Sequence, residues 1–552
     1  MRCLPFVLAL TLTSSLVSAQ DNQLYKNAQI YTMDETKPWA DSMIVQGEKI
    51  LAVGRENELR NFGPFQSETD LKNKFVMPGI HDNHTHPIGS GVEYAECMLY
   101  DAENVEHLLE IIKKCNDELP AGTLWLRGSG WTIYLFENGA KPHKDMLDKI
   151  STTRPMALMS GDGHSYWANS AALKLAKLTP ETKDPVDGHL GRDEQGQLTG
   201  MLYEGALSFL DSVIPPRTLE QRLAGLKKAL SFMREAGITS FKDAYVTQEE
   251  LETYVALDRE GGLTATAHLS LYADTKLELN QINKFQVWKK NYSSAKIHIN
   301  TVKIYMDGVL EDQTAALLKP YVGSTEAGEI LWSKSKLRKF AVMVDKAGFQ
   351  MHFHAIGDAA IRTALDVIEL AQTKNGKLGH RHEISHLQLI HPQDWSRFKK
   401  LDVSAVFSPL WAMDDEVISQ YTAPLIGPLR AKWIYPMGSV AKAGGRMAFG
   451  SDWSVTSMNP LEGIEVALTR TPLEAQTPSR WLIRERLDLK TALMGYTVGG
   501  AYATFSEQIA GSLSPGKRAD FIILDKNPFK VTPMKIGEIK IIATYHLGKL
   551  LN

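Results

Sequence analysis

The sequence predicts an α/β protein organised on a (β/α)8 barrel, and three patterns carry that prediction. Short apolar strands recur along the centre of the chain with helical segments between them, eight strands in all, which implies parallel pairing and closure into a barrel. Both ends of the chain are β-rich instead, which suggests one small composite β-sandwich built from the two termini. Residues 88–217 separate the first two barrel strands, too long a stretch for one crossover, so an inserted subdomain is predicted there.

In chain order, the first segment reads as an export signal. Arg2 supplies the positive start, Leu4 to Leu16 is apolar, and Val17-Ser18-Ala19 is a small-residue cleavage pattern. The expectation is a signal peptide over 1–19, a mature start at Gln20, and an exported protein, periplasmic or secreted. The run is too short to span a membrane, and no comparable segment follows. Residues 20–74 and 508–552 form the expected sandwich: Asn27 to Met33, Ser42 to Gly54, Gly516 to Asp525 and Ile539 to Tyr545 are β-rich and broken at glycines. Residues 75–507 form the barrel with its insertion. Within it, Thr218 opens a helix with Gln221 at the capping-box position, and Leu223, Leu226, Leu230 and Met233 form its apolar stripe. The strand Ile238 to Phe241 follows, and a second helix opens at Thr247 with Glu250. Further strands are expected at 264–271, 301–305, 349–354, 382–386, 404–407 and 447–450.

Composition narrows the function classes. The 552 residues are 43% hydrophobic and 23% charged, ordinary for a globular protein, and the net charge of -3 argues against a nucleic-acid surface. The expected partner is a small-molecule substrate, with a homodimer entertained as the assembly. Outside the leader the chain keeps Cys97 and Cys115; an oxidising compartment permits a disulfide, and two free buried thiols is the preferred reading.

Candidate ligands collect at strand ends. His84 and His86 lie two apart on an extended segment that Pro87 terminates, so both imidazoles face one side. In Thr301-Val-Lys-Ile-Tyr-Met-Asp307, Lys303 shares the inward face with Tyr305 and Asp307, a costly place for a lysine unless it is paired or modified. His352 and His354 share a face of the fifth strand, His386 closes the sixth, and Gly450-Ser-Asp452 closes the eighth. Active sites of such barrels sit at the C-terminal ends of the strands, where these residues fall.

The chain resembles the amidohydrolase superfamily of metal-dependent hydrolases, specifically its amidohydrolase-3 (YtcJ-like) branch. The resemblance rests on Pro78-Gly-Ile-His-Asp-Asn-His-Thr-His86, Ser160-Gly-Asp-Gly-His-Ser-Tyr-Trp-Ala-Asn-Ser-Ala-Ala-Leu, Gly237-Ile-Thr-Ser-Phe-Lys-Asp-Ala, Val302-Lys-Ile-Tyr-Met-Asp-Gly, His352-Phe-His-Ala-Ile-Gly-Asp, His386-Leu-Gln, Gly450-Ser-Asp-Trp and Gly516-Lys-Arg-Ala-Asp-Phe. It implies a distorted TIM barrel and one or two divalent metals, zinc first, with manganese or iron as alternatives. Carried over, His84 and His86 bind one metal, His354 and His386 the other, an N-carboxylated Lys303 bridges them, and Asp452 completes the site. Asp452 would serve as general base and acid, His164 would meet the carbonyl oxygen or the substrate, and Trp131 and Asp307 would bind substrate. The implied reaction is hydrolysis of a non-peptide carbon–nitrogen bond by metal-activated water. Ester hydrolysis, isomerisation and a non-catalytic periplasmic binder are the alternatives. Two positions depart from the family pattern: Ser385 stands where a glutamate is common, with Glu383 two residues earlier, and Ser408-Pro409 stands where glutamine precedes proline.

Overall fold

A computed structural model describes residues 22–119, 124–136 and 141–551. The expected signal peptide and its cleavage point lie outside the described residues. No described helix is long and apolar enough to cross a membrane.

Eight parallel strands form the central sheet: β1 Ile80–Thr85, β2 Ile238–Val246, β3 Thr266–Tyr272, β4 Ile297–Tyr305, β5 Gln350–Ala355, β6 Glu383–His386, β7 Ser404–Phe407 and β8 Arg446–Phe449. Each pairs with the next in order. Ladder pairing is absent between β8 and β1, and the chain just beyond β8 makes the closure instead. Asp452 N–H donates to His84 O at 2.7 Å, and His86 N–H donates to Trp453 O at 3.0 Å. The Asp82 carboxylate staples the same seam, accepting from the backbone N–H of Ser451 at 3.0 Å and from its hydroxyl at 2.6 Å. The close approach needs Gly450, because a Cβ there would lie 2.5 Å from His84 N. The barrel is distorted, and it closes at the residues that carry its chemistry.

Alternation along β4 sorts its faces. Val302, Ile304 and Met306 join the main core against the helices, while Lys303 is turned to the interior at 0% exposure. The helices begin where their caps place them. Thr218 and Gln221 form a reciprocal capping box ahead of Leu219–Glu235, and Thr247 and Glu250 do the same ahead of Gln248–Arg259.

The two termini meet in one eight-stranded sheet that includes Asn22–Tyr31, Ser67–Pro78, Phe521–Leu524 and Ile541–His546. It bends back on itself: Ile50 N–H donates to Lys517 O and Gly516 N–H to Ile50 O, each at 2.8 Å. Tyr25, Ile30, Met43, Val45, Val76 and Phe521 are sealed within that fold. Ser67–Pro78 runs through Gly79 directly into β1, so this sheet anchors the strand carrying His84.

The insertion contains a six-stranded sheet between Cys97 and Glu204 and the helix Val105–Glu118. Here the expectation of two free thiols is corrected: Cys97 and Cys115 are disulfide-bonded, with their Cα atoms 5.7 Å apart. Leu108 and Ile112 are buried against this sheet, and Cys115 follows Ile112 on the same helical stripe, which carries its thiol to the strand holding Cys97.

Candidate metal centre

Rings from three strands, β1, β5 and β6, converge inside the C-terminal mouth of the barrel. His84 lies with ring centroids 5.4 Å from His86 and 4.6 Å from His386, and His386 lies 4.5 Å from His354. Asp452 spans the group. Its Oδ1 is 3.4 Å from His84 Nε2 and 3.1 Å from His86 Nε2, and its Oδ2 is 3.4 Å from His386 Nδ1. One donor atom each from His84, His386 and Asp452 falls within 4.8 Å of the others.

These residues fit a divalent metal by a physical test. His84 Nε2, Lys303 Nζ and His386 Nδ1 are all buried and lack a hydrogen-bond partner. Buried polar atoms are nearly always partnered, so a cluster of bare ones on an imidazole and carboxylate set marks a cation site. Burial, with Lys303 nearby, holds His84 far below the usual imidazole range, and burial brings His386 down to about 3. Both rings are therefore neutral and able to donate a lone pair. Burial also brings the Lys303 amine down to about 7 against the pull of Asp452, so much of it is uncharged at neutral pH, the state that can add carbon dioxide.

Behind the ligands lies a buried polar chain in which the sequence reading assigned no role. His352 Nε2 is 3.2 Å from His84 Nδ1 and 2.5 Å from Ser385 Oγ. Its Nδ1 is 3.2 Å from Glu383 Oε1, which Lys242 Nζ in turn meets at 2.5 Å. A His84 offering Nε2 to a metal carries its proton on Nδ1 and donates it to His352, whose own Nδ1–H then faces Glu383. This chain orients His84 and fixes its tautomer. Its signal in the sequence was the pair of inward positions His352 and Lys242, neither of which a core would tolerate unpaired.

His164 comes from the insertion. Asp162 shapes its turn by accepting from Ser160 Oγ at 2.5 Å and from His164 N at 3.0 Å. The ring lies 5.3 Å from that of His354, and its Nδ1 is 3.0 Å from Glu204 Oε2. Burial opposes a charge here, but Glu204 overrides it and pushes His164 up to about 10, so it is an imidazolium at neutral pH. Glu204 went unnoticed in the sequence because it lies 40 residues away, at the end of the neighbouring strand of the inserted sheet.

Asp307, expected to bind substrate, is fully buried. Its carboxylate accepts from the backbone amides of Ala316 at 2.9 Å, Ile356 at 3.1 Å and Gly357 at 2.9 Å, and it lines neither cavity at the mouth. It braces the loops beneath His354, and its Oδ1 lies 3.5 Å from His354 Nδ1. Trp131 is 2% exposed, donates its indole N–H to Leu158 O at 2.8 Å, and forms part of the wall of a side cavity.

The metal cluster opens into a cavity of about 590 Å³ that also holds His164, Glu204 and Tyr305. A second cavity of about 340 Å³ adjoins it. Another Asp–His group, Asp345 with His380 and His382, is satisfied internally: His382 Nδ1 accepts from Met351 N at 3.0 Å, so its Nε2 carries the proton given to Asp345.

Residues 67–551 match the sequence model of the Amidohydrolase family. The chain belongs to the amidohydrolase family. LONG AFTER FAR-RED 3 of Arabidopsis thaliana is 31% identical over 96% of this chain and 91% of its own length. The N-substituted formamide deformylase of Arthrobacter pascens is 26% identical over 95% of this chain and 97% of its own. The crystal structure of an uncharacterized metal-dependent hydrolase from Pyrococcus horikoshii superposes with a TM-score of 0.73 at 25% identity, covering 93% of this chain and 99% of that one. Within the amidohydrolase family the departure at Ser385 now has a physical content. The Ser385 hydroxyl lies 2.5 Å from His352 Nε2, filling the space beside His84 with a serine–histidine pair.

Proposed function

We propose that this enzyme is an exported hydrolase of carbon–nitrogen bonds in amide-type, non-peptide substrates. The observation carrying the proposal is the convergence of bare donor atoms on Asp452, opposite the cationic His164, in one cavity. His84, His86, Lys303, His354, His386 and Asp452 would hold two divalent ions, zinc by ligand type, with Lys303 N-carboxylated between them. Metal there supplies a water acidified to near neutrality and a polarised carbonyl.

The chain's own groups do the rest. Burial works against an ionised Asp452, but the hydrogen bond with His86 holds its carboxylate below the usual range, so it is ionised at neutral pH, the form that can accept a proton. Asp452 takes that proton from the attacking water and passes it to the leaving amine. The imidazolium of His164, anchored by Glu204, faces the charge that builds on the carbonyl oxygen. The side cavity, with Trp131 in its wall, seats the remainder of the substrate.

An amide substrate is supported by the formamide-cleaving relative, which aligns along nearly its whole length. Export is supported by the Cys97–Cys115 disulfide, a bond that persists in oxidising compartments. The test joins elemental analysis to a turnover screen of N-acyl amino acids, N-substituted formamides, hydantoins and esters. Metal-dependent release of amine from at least one amide is the expected result. Turnover of esters alone, or bound metal with no turnover of any class, would overturn the reading.

A further inference from the structure

The smaller cavity differs in character from the metal cavity it adjoins. It lies between the insertion and the loops that follow β4, β7 and β8, and the two meet at Ser160, Gly161, Asp162 and Val455. Its wall is largely aromatic and aliphatic: Trp131, Tyr134, Trp411 and Tyr435 stand around it with Leu410 and Ile418. Trp411 ties it to the chemistry, for its indole stacks on the ring of His386 at 5.3 Å and 16°. A group seated in this cavity therefore lies one ring away from a metal ligand. The volume of about 340 Å³ falls in the range of small-molecule sites. The acidic groups in its wall are Asp162, Glu311, Asp312 and Asp415, with no basic side chain beside them, and burial pushes Glu311, Asp312 and Asp415 towards their neutral forms. Thr422 and Gln388 hold Glu311 in place by donating to its Oε1 at 2.5 Å and 3.2 Å.

An apolar space of this size, ringed by π faces and edged with carboxyl groups, favours a flat apolar group and offers a negative one desolvation without a counter-charge. We propose that this side cavity is the specificity pocket of the metal site, and that it takes an aromatic, non-anionic substituent of the scissile amide. The inference rests on the amide-hydrolase reading for its chemistry and on the cavity alone for its shape.

Two readouts keep the inferences separable. Turnover by the zinc-loaded full chain is compared on N-benzylformamide, N-methylformamide and the anionic N-formylglycine. Equilibrium binding of benzylamine and methylamine to the same holoenzyme is followed by calorimetry. The benzyl compound should exceed the methyl one by about 10- to 100-fold in kcat/KM, with N-formylglycine the poorest of the three. Val417→Trp, from a half-buried position in the cavity wall, should lower the benzyl-to-methyl ratio and weaken benzylamine at least tenfold. Val455→Phe, at the junction of the two cavities, serves as the second variant should the first fail to fold. Benzylamine binding no tighter than methylamine, or benzylamine binding unmoved by a folded variant, overturns the pocket. If no amide is turned over but benzylamine binds and the variants abolish that binding, the pocket stands and the amide-hydrolase reading falls.

Discussion

Glu204→Gln isolates the charge on His164 without touching a metal-binding position. In the folded protein Glu204 meets His164 Nδ1 at 3.0 and 3.1 Å through its two oxygens, and Thr314 Oγ1 at 3.0 Å holds the carboxylate in place. His164 rises from 6.5 to about 10 although burial alone would lower it. At about 1.4 kcal/mol per unit, that shift is worth roughly 4 to 5 kcal/mol in favour of the imidazolium. Because the folded pKa is raised, this stabilisation is fully present below pH 6.5 and is lost as pH rises through about 10. Glutamine keeps the shape and removes the charge, so His164 falls back towards the usual imidazole range, lowered by burial and raised only by Asp162 and Asp312. At pH 8 the variant would present a neutral ring to the carbonyl oxygen. Losing one such donor costs about 10²- to 10³-fold in kcat. Steady-state kinetics from pH 6 to 9 should show the deficit widening as pH rises, while the wild type shows no loss from this group over that window. Thermal unfolding should also show Glu204→Gln to be less stable at neutral pH. Wild-type kcat and KM across the whole range would refute the assignment of a catalytic cation at His164.

Four other outcomes follow from the geometry. Asp452→Asn keeps an oxygen near His84 and His86 but cannot accept a proton, so turnover should fall by at least about 10²-fold while most of the metal remains; unchanged turnover would move the proton to another residue. Zinc content should be about two per chain, falling towards one in Lys303→Met, because only a carboxylated lysine bridges two ions; a ratio of two in the variant rejects the bridge. His352→Ala removes the partner of His84 Nδ1 and should weaken zinc about 10- to 100-fold in chelator competition with the fold intact by circular dichroism; unaltered affinity would reduce His352 to a packing residue. Mass spectrometry of protein exported by the native host should show Gln20 as its first residue, and an intact Met1 would end the export reading.

The sequence was sufficient wherever short-range periodicity carries the information. Two-residue spacing places His84 beside His86 and turns Lys303 inward, and capping residues mark the helix starts at Thr218 and Thr247. Strand–helix alternation determines a parallel barrel, and the barrel rule assigns the chemistry to its C-terminal mouth. Tertiary structure decided whatever depends on register between distant segments. Asp452 meets His84 across 368 positions only because the chain beyond β8 closes on β1 and Gly450 lets the backbones touch. Glu204 charges His164 from another strand of the insertion, and His352 reaches Ser385 and Glu383 from the neighbouring barrel strand. Cys115 finds Cys97 through the packing of one helix face, and Asp307 turns out to be occupied by three backbone amides that no local pattern reveals. Side-chain direction follows from local backbone geometry, whereas a partner across the barrel depends on how every strand between them packs.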